Sequence, residues 1–185
     1  MVVVIGLLLA VVLPLVDRSV AEHEVVHAGD RLDLGQGLTI APPVGWQVVR
    51  GIKTGTAITV PVSDTNGAVL ADGVVTASIQ VAPYDGDSRQ LLDQVNSNNS
   101  RSAELPGFRV GNDPRPVTTP GGITGLVESY STTSGSGVLA AYALDTGRGL
   151  TILVTSADST QMPAHTAQIA QMLSSVTLTT EGAQP

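Results

Sequence analysis

Apolar and polar positions alternate most clearly from Gly137 to Ala157, GVLAAYALDTGRGLTILVTSA. Successive side chains on a strand point to opposite faces. Val138, Ala140, Tyr142 and Leu144 therefore share one face, and Leu139, Ala141 and Ala143 the other. Both sets are apolar, which predicts a strand covered on both sides. Asp145-Thr146-Gly147-Arg148-Gly149 supplies a short loop whose glycines accept positive φ. The return strand sets Leu150, Ile152 and Val154 against Thr151, Leu153 and Thr155. A hairpin with two apolar faces requires strands beside it and layers over it.

The rest of the chain supplies them. Leu38-Thr39-Ile40 reads as a strand, Pro42-Pro43 as a break, and Gly45 to Val49 as a resumed strand. Ala57–Ser63 reads as an edge strand, because Pro61 cannot donate to a ladder, and Asp64 to Gly67 as a turn with the Asn-Gly signal. Val75, Ala77, Ile79 and Val81 alternate with Thr76, Ser78 and Gln80. Asp87 or Ser88 caps a predicted helix to about Ser100, with Leu91, Leu92 and Val95 as its buried stripe. Phe108–Pro120 is loop-rich with one possible edge strand, and Ile123–Ser131 alternates again, burying Leu126 or Val127 according to register. Ser159 or Thr160 is expected to cap a second helix, with Pro163 in its first turn. Met162, Thr166, Ile169, Met172, Leu173 and Val176 fall on one face of it, and Val176–Thr179 returns as a strand. Hairpin-length connections make the sheet mainly antiparallel. The expected fold is α+β, an antiparallel sheet flanked by two main helices and preceded by an N-terminal hydrophobic segment.

That segment, Val2–Val16, carries no charge. As a helix it would span about 22 Å, short of the roughly 30 Å hydrocarbon core of a bilayer. Its length suits the apolar region of a signal peptide, with Ser19-Val20-Ala21 as a small-x-small cleavage site. It runs directly into Asp17 and Arg18 without a polar stretch, which favours an uncleaved anchor. The absence of Lys or Arg before it suggests that Met1 is not the true start. The expected division is residues 1–16 as membrane anchor or signal, 17–37 as a polar juxtamembrane connector, 38–179 as an extracytoplasmic domain and 180–185 as a tail. The expected location is the cell membrane, or outside the cell if the segment is cleaved.

Composition narrows the function classes. The chain has 185 residues, 42% hydrophobic, which is enough for a sizeable core. A net charge of −7 argues against nucleic acid and against an anionic lipid surface. There is no cysteine, hence no disulfide, thiolate metal site, cysteine nucleophile or lipoprotein anchor. Arginine outnumbers lysine, and Lys53 is the only lysine.

APPVGWQVV near the start of the domain, a helix after VAPY, a meander ending in GRGLTILVTSA and a final QIAQMLSSVTL resemble the PsbP/LpqN-like domains of exported actinobacterial envelope proteins. The Pro-x-Gly-Trp turn and the last helix leading through Ser174-Ser175 into a strand carry the likeness, which covers about Leu34 to Thr179. The resemblance implies an antiparallel sheet flanked by helices and a non-catalytic or unassigned role. It transfers no functional residue, and the chain lacks the cysteine of the lipoprotein members.

Candidate chemistry is sparse. His23-Glu24-Val25-Val26-His27 matches the zinc-protease pattern His-Glu-x-x-His, which on a helix places two imidazoles one turn apart with a glutamate base. It lies beside the apolar segment, and His165, the only other histidine, is far along the chain. A zinc metalloprotease built on it is therefore the secondary reading, and a solvated connector the primary one. Ser134 and Ser136 lack a nucleophile elbow, and the glycine pairs at 121–122, 135–137 and 147–149 lack the lysine of a phosphate loop. Asn98-Asn99-Ser100 fits a glycosylation acceptor but reads as a helix end. Glu128 is expected on a solvated face or paired with Arg148. Trp46 is expected to anchor the first strand in the core, with a ligand groove beside the Pro42–Trp46 turn as the alternative. The resulting expectation is a non-enzymatic envelope module without cofactor, touching the membrane through its N-terminal segment. It binds an envelope protein or an apolar ligand, and no nucleic acid.

Overall fold

A computed structural model describes residues 24–55 and 67–179. The expected strand at Ala57–Ser63, the apolar segment Val2–Val16 and the 180–185 tail lie outside them. The described chain forms two antiparallel sheets and two helices. The large sheet contains nine strands in the order β1 (Glu24–Val25), β4 (Gln47–Arg50), β6 (Gly67–Asp72), β7 (Val75–Pro83), β12 (Arg148–Ser156), β11 (Ser136–Leu144), β10 (Thr124–Ser131) and β8 (Arg109–Val110), with β9 (Arg115–Thr118) also on β10. The small sheet runs β13 (Thr177–Leu178), β3 (Leu38–Ile40), β2 (Leu32–Asp33) and β5 (Ile52–Lys53). Helix α1 is Ser88–Arg101 and helix α2 is Met162–Ser174.

The β11–β12 hairpin is central, as its two apolar faces require. Ile152 pairs with Ala140 on β11 and Ile79 on β7. The even-numbered face (Ala140, Tyr142, Leu144, Leu150, Ile152 and Val154) joins the main core with Ile169, Met172, Leu173 and the small sheet. The odd-numbered face (Leu139, Ala141 and Leu153) packs with Leu91, Leu92 and Val95 of α1 in a separate cluster. Tyr142 Oη donates to Leu173 O at 2.7 Å, tying the end of α2 to the hairpin. Burial of that hydroxyl pushes its pKa up.

The start of α1 follows the sequence. Asp87 accepts from Gln90 N at 2.8 Å and Gln90 Oε1 accepts from Asp87 N at 3.2 Å, a reciprocal capping box. The start of α2 does not. Its first flanking residue is Gln161, with no side-chain cap, because Asp158 Oδ1 takes both the N–H and the hydroxyl of Thr160 in a turn of its own. Thr166 faces solvent and bonds back to Met162 O, so the buried stripe is Ile169, Met172 and Leu173.

Residues 24–37 are not a solvated connector. They contribute β1 and β2, and Val26, Leu32 and Leu34 are buried in the main core. Their polar neighbours hid them, because a two-residue strand shows no alternation to read.

Candidate functional site

Within the His-Glu-x-x-His stretch, the described residues Glu24 to His27 are not helical. Glu24 and Val25 form the edge strand β1, and Glu24 pairs with Lys53 Nζ at 3.0 Å. No helical turn is present from Glu24 to His27 to carry the zinc-protease pattern, and His23 lies outside the described residues. His27 is exposed, and its backbone N–H donates to Asp30 at 2.8 Å. Lys53 holds Asp30 at 2.6 Å as well and donates to Val25 O. The His27 N–H, then Lys53, lower the Asp30 pKa, and Asp30 in turn raises that of Lys53. Among the described residues no group of three or more His, Cys, Asp or Glu is placed to hold a metal ion.

Trp46 lies fully inside the core, at 0% exposure, so it lines no surface groove. The turn before it is built by Pro42 and Pro43, both buried, and by Gly45 at φ 90°, which a side chain would strain. Val26 N donates to Trp46 O, and Gly45 N to Val26 O, fastening the turn to the chain beside β1. The indole N–H donates to Gln168 Oε1 at 3.3 Å, and His165 stands edge-on at 5.7 Å. Above the indole, His165 Nδ1 lies 3.6 Å from Asp72 Oδ2 and 3.3 Å from Gln168 Oε1. This His–Asp pair links α2 to β6.

Glu128 is neither solvated nor paired with Arg148. It is 2% exposed and turned under α1. Burial raises its pKa, with the Asp93 carboxylate pushing the same way, against Asn96 and Arg89. Arg148 instead donates to Gly35 O at 3.1 Å, Gln36 O and Thr146 Oγ1, joining the central hairpin to the small sheet.

A depression of about 450 Å³ opens where the two sheets meet. Gly121, Gly122, Ile123, Thr124, Ala143 and Asp145 supply most of its lining, with Leu178 from β13. Hydrogen bonds tie its walls to the sheets. Thr119 is buried and bonds Ile123 and Gly122 across the β9–β10 turn, and Leu178 pairs with Leu38. Its lining mixes glycines, Ile123, Leu144 and Leu178 with Thr124 and the exposed Asp145. The sequence signalled this place only as a cluster of turn glycines.

The architecture is that of a three-layer α+β domain: α1, the large sheet, then α2 with the small sheet. No protein-family model matches the sequence, and no curated protein does. Among solved structures the chain is similar to cyanobacterial PsbP (CyanoP) from Synechocystis sp. PCC 6803, with a TM-score of 0.55 at 12% identity over 81% of this chain and 91% of that one. It also matches LpqN, involved in cell envelope biogenesis of Mycobacterium tuberculosis, with a TM-score of 0.43 at 16% identity over 85% of this chain and 91% of that one. The fold is thus the PsbP-like one that the Pro-x-Gly-Trp turn and final helix suggested. Identity of 12% transfers no residue roles.

Proposed function

We propose that this protein is a non-enzymatic binding module held outside the cytoplasm by its apolar segment Val2–Val16. In this reading it engages a partner protein or ligand at the depression between the two sheets. That depression is the observation that carries the reading, because its walls come from strand ends and turns of both sheets. The expected envelope role rests on the apolar segment and not on the structural likeness.

The cysteine-free sequence offers a direct test, since one introduced thiol is unique. Thr124→Cys, labelled with a photo-crosslinker, is expected to give a discrete adduct on native membranes. Val74→Cys, on an exposed turn between β6 and β7, is expected to give none. Equal labelling at both positions, or none at either, removes the depression as a binding site. Hydrolysis of a peptide or ester panel by the purified chain, abolished by one point substitution, would overturn the non-enzymatic reading.

A further inference from the structure

Helix α1 and strand β10 enclose three polar atoms that no described group satisfies. Glu128 Oε1, Asn96 Oδ1 and Asn99 Nδ2 are each buried without a hydrogen-bond partner. Glu128 and Asn99 are both 2% exposed. Asn96 and Asn99 are one helical turn apart. The surrounding contact is dry: Leu91, Leu92 and Val95 from the helix meet Tyr130, Leu139 and Leu153 from the sheet. Two of the three orphans are acceptors and only Asn99 Nδ2 is a donor, so one acceptor is left over. A proton on Glu128 supplies one, whereas an ionised Glu128 would leave a buried charge unpaired.

We propose that Glu128 is a protonated latch: as a neutral carboxyl it fastens α1 to the large sheet, and its ionisation as pH rises loosens α1 while the main core stays closed. The charged groups near it are few. From α1, Arg89 and Asp93 act on it in opposite senses. On β11 its partner is Leu139. On β8 and β9, Arg109 and Arg115 are exposed and pair with Ser131 and Val127, while Asp113 lies exposed in the loop between. None neutralises a carboxylate at position 128 as directly as burial opposes it.

The sign follows from the raised pKa. Stability from the neutral carboxyl is fully present below the ordinary glutamate value of about 4.3, and is lost as pH rises through the higher folded value. The loss is local because the sheet separates the cluster under α1 from the main core, which α2 and the small sheet close independently.

Hydrogen exchange of the full chain in mild detergent tests the latch. After correction for intrinsic rates, protection of the Leu92 and Val95 amides should fall with rising pH by up to about tenfold per unit between the ordinary glutamate value and the higher folded one, the limit for one proton, and level off above it. Protection of Ile152 should not follow that local loss. Glu128→Gln keeps a neutral side chain, and its α1 protection should stay flat over the same range. Asp93→Asn should move the fall to lower pH, because removing a like charge makes ionisation of Glu128 easier. A pH-independent α1 in the wild type, or a Glu128→Gln profile that matches the wild type, overturns the proposal.

Discussion

Ile152 sits between Ala140 and Ile79 at 0% exposure, and a carboxylate placed there has no donor to meet. Ile152→Asp is expected to cost several kcal/mol, a large share of the roughly 5–15 kcal/mol that holds a domain together. Thr155→Asp, on a half-buried position of the same strand, should be milder in a thermal melt. Trp46→Leu should also destabilise, by about 2–4 kcal/mol, since it leaves a void beside His165 and takes the indole donor from Gln168. A melt within 1 °C of wild type would contradict the burial of that ring. The two residues show what is legible at this scale. A lone tryptophan after a Pro-Pro-x-Gly turn announces a core anchor by size alone. Glu128 announces nothing, because alternation assigns it a face without saying whether a helix lies over that face.

At the scale of elements, local chemistry was readable wherever it was complete in a short stretch. Asp87-Ser88-Arg89-Gln90 contains both halves of its capping box, and Asp87→Ala should cost about 1 kcal/mol, read from chemical denaturation. The hydroxyls before α2 misled because Asp158 competes for Thr160. Two strands of the small sheet, Leu38–Ile40 and Thr177–Leu178, fall where the sequence placed strands, but the two-residue strands β2 and β5 and the pairing of distant parts of the chain were not legible. One side chain does much of its joining. Arg31 Nε donates to Thr39 Oγ1 at 2.9 Å, and its Nη2 to Ser175 O at 2.9 Å and Thr177 Oγ1 at 2.7 Å. The cation also faces the C-terminal end of α2, where the helix dipole favours it. Arg31→Ala should lower stability by about 2–3 kcal/mol, and Arg31→Lys should recover little, since an ammonium cannot reproduce the planar fork. Full recovery by lysine in the same denaturation series would show that charge alone matters.

For the whole molecule, the pattern of two-faced strands foretold a layered α+β domain, and the described chain has those layers. It did not foretell a second sheet, nor that the domain begins by Glu24 rather than after residue 37. Under the proposed membrane attachment, few residues separate Val16 from β1. The full chain should therefore sediment with membranes, and externally added protease should reach the domain on intact spheroplasts. Recovery of a soluble cytoplasmic protein with residues 1–16 intact would sink that placement.

Thr39 and Thr177 stand hydroxyl to hydroxyl at 2.9 Å although 138 residues separate them in the chain. Closing so long a loop is entropically slow compared with zipping the local β10–β12 meander. The small sheet is therefore expected to close last. Until the last strand has been synthesised, the side of the core that β13 and α2 cover stays open, and the chain remains threadable. A version ending at Ser175 should show the meander's slow-exchanging amides without a cooperative melt, separating the order of assembly from the final stability.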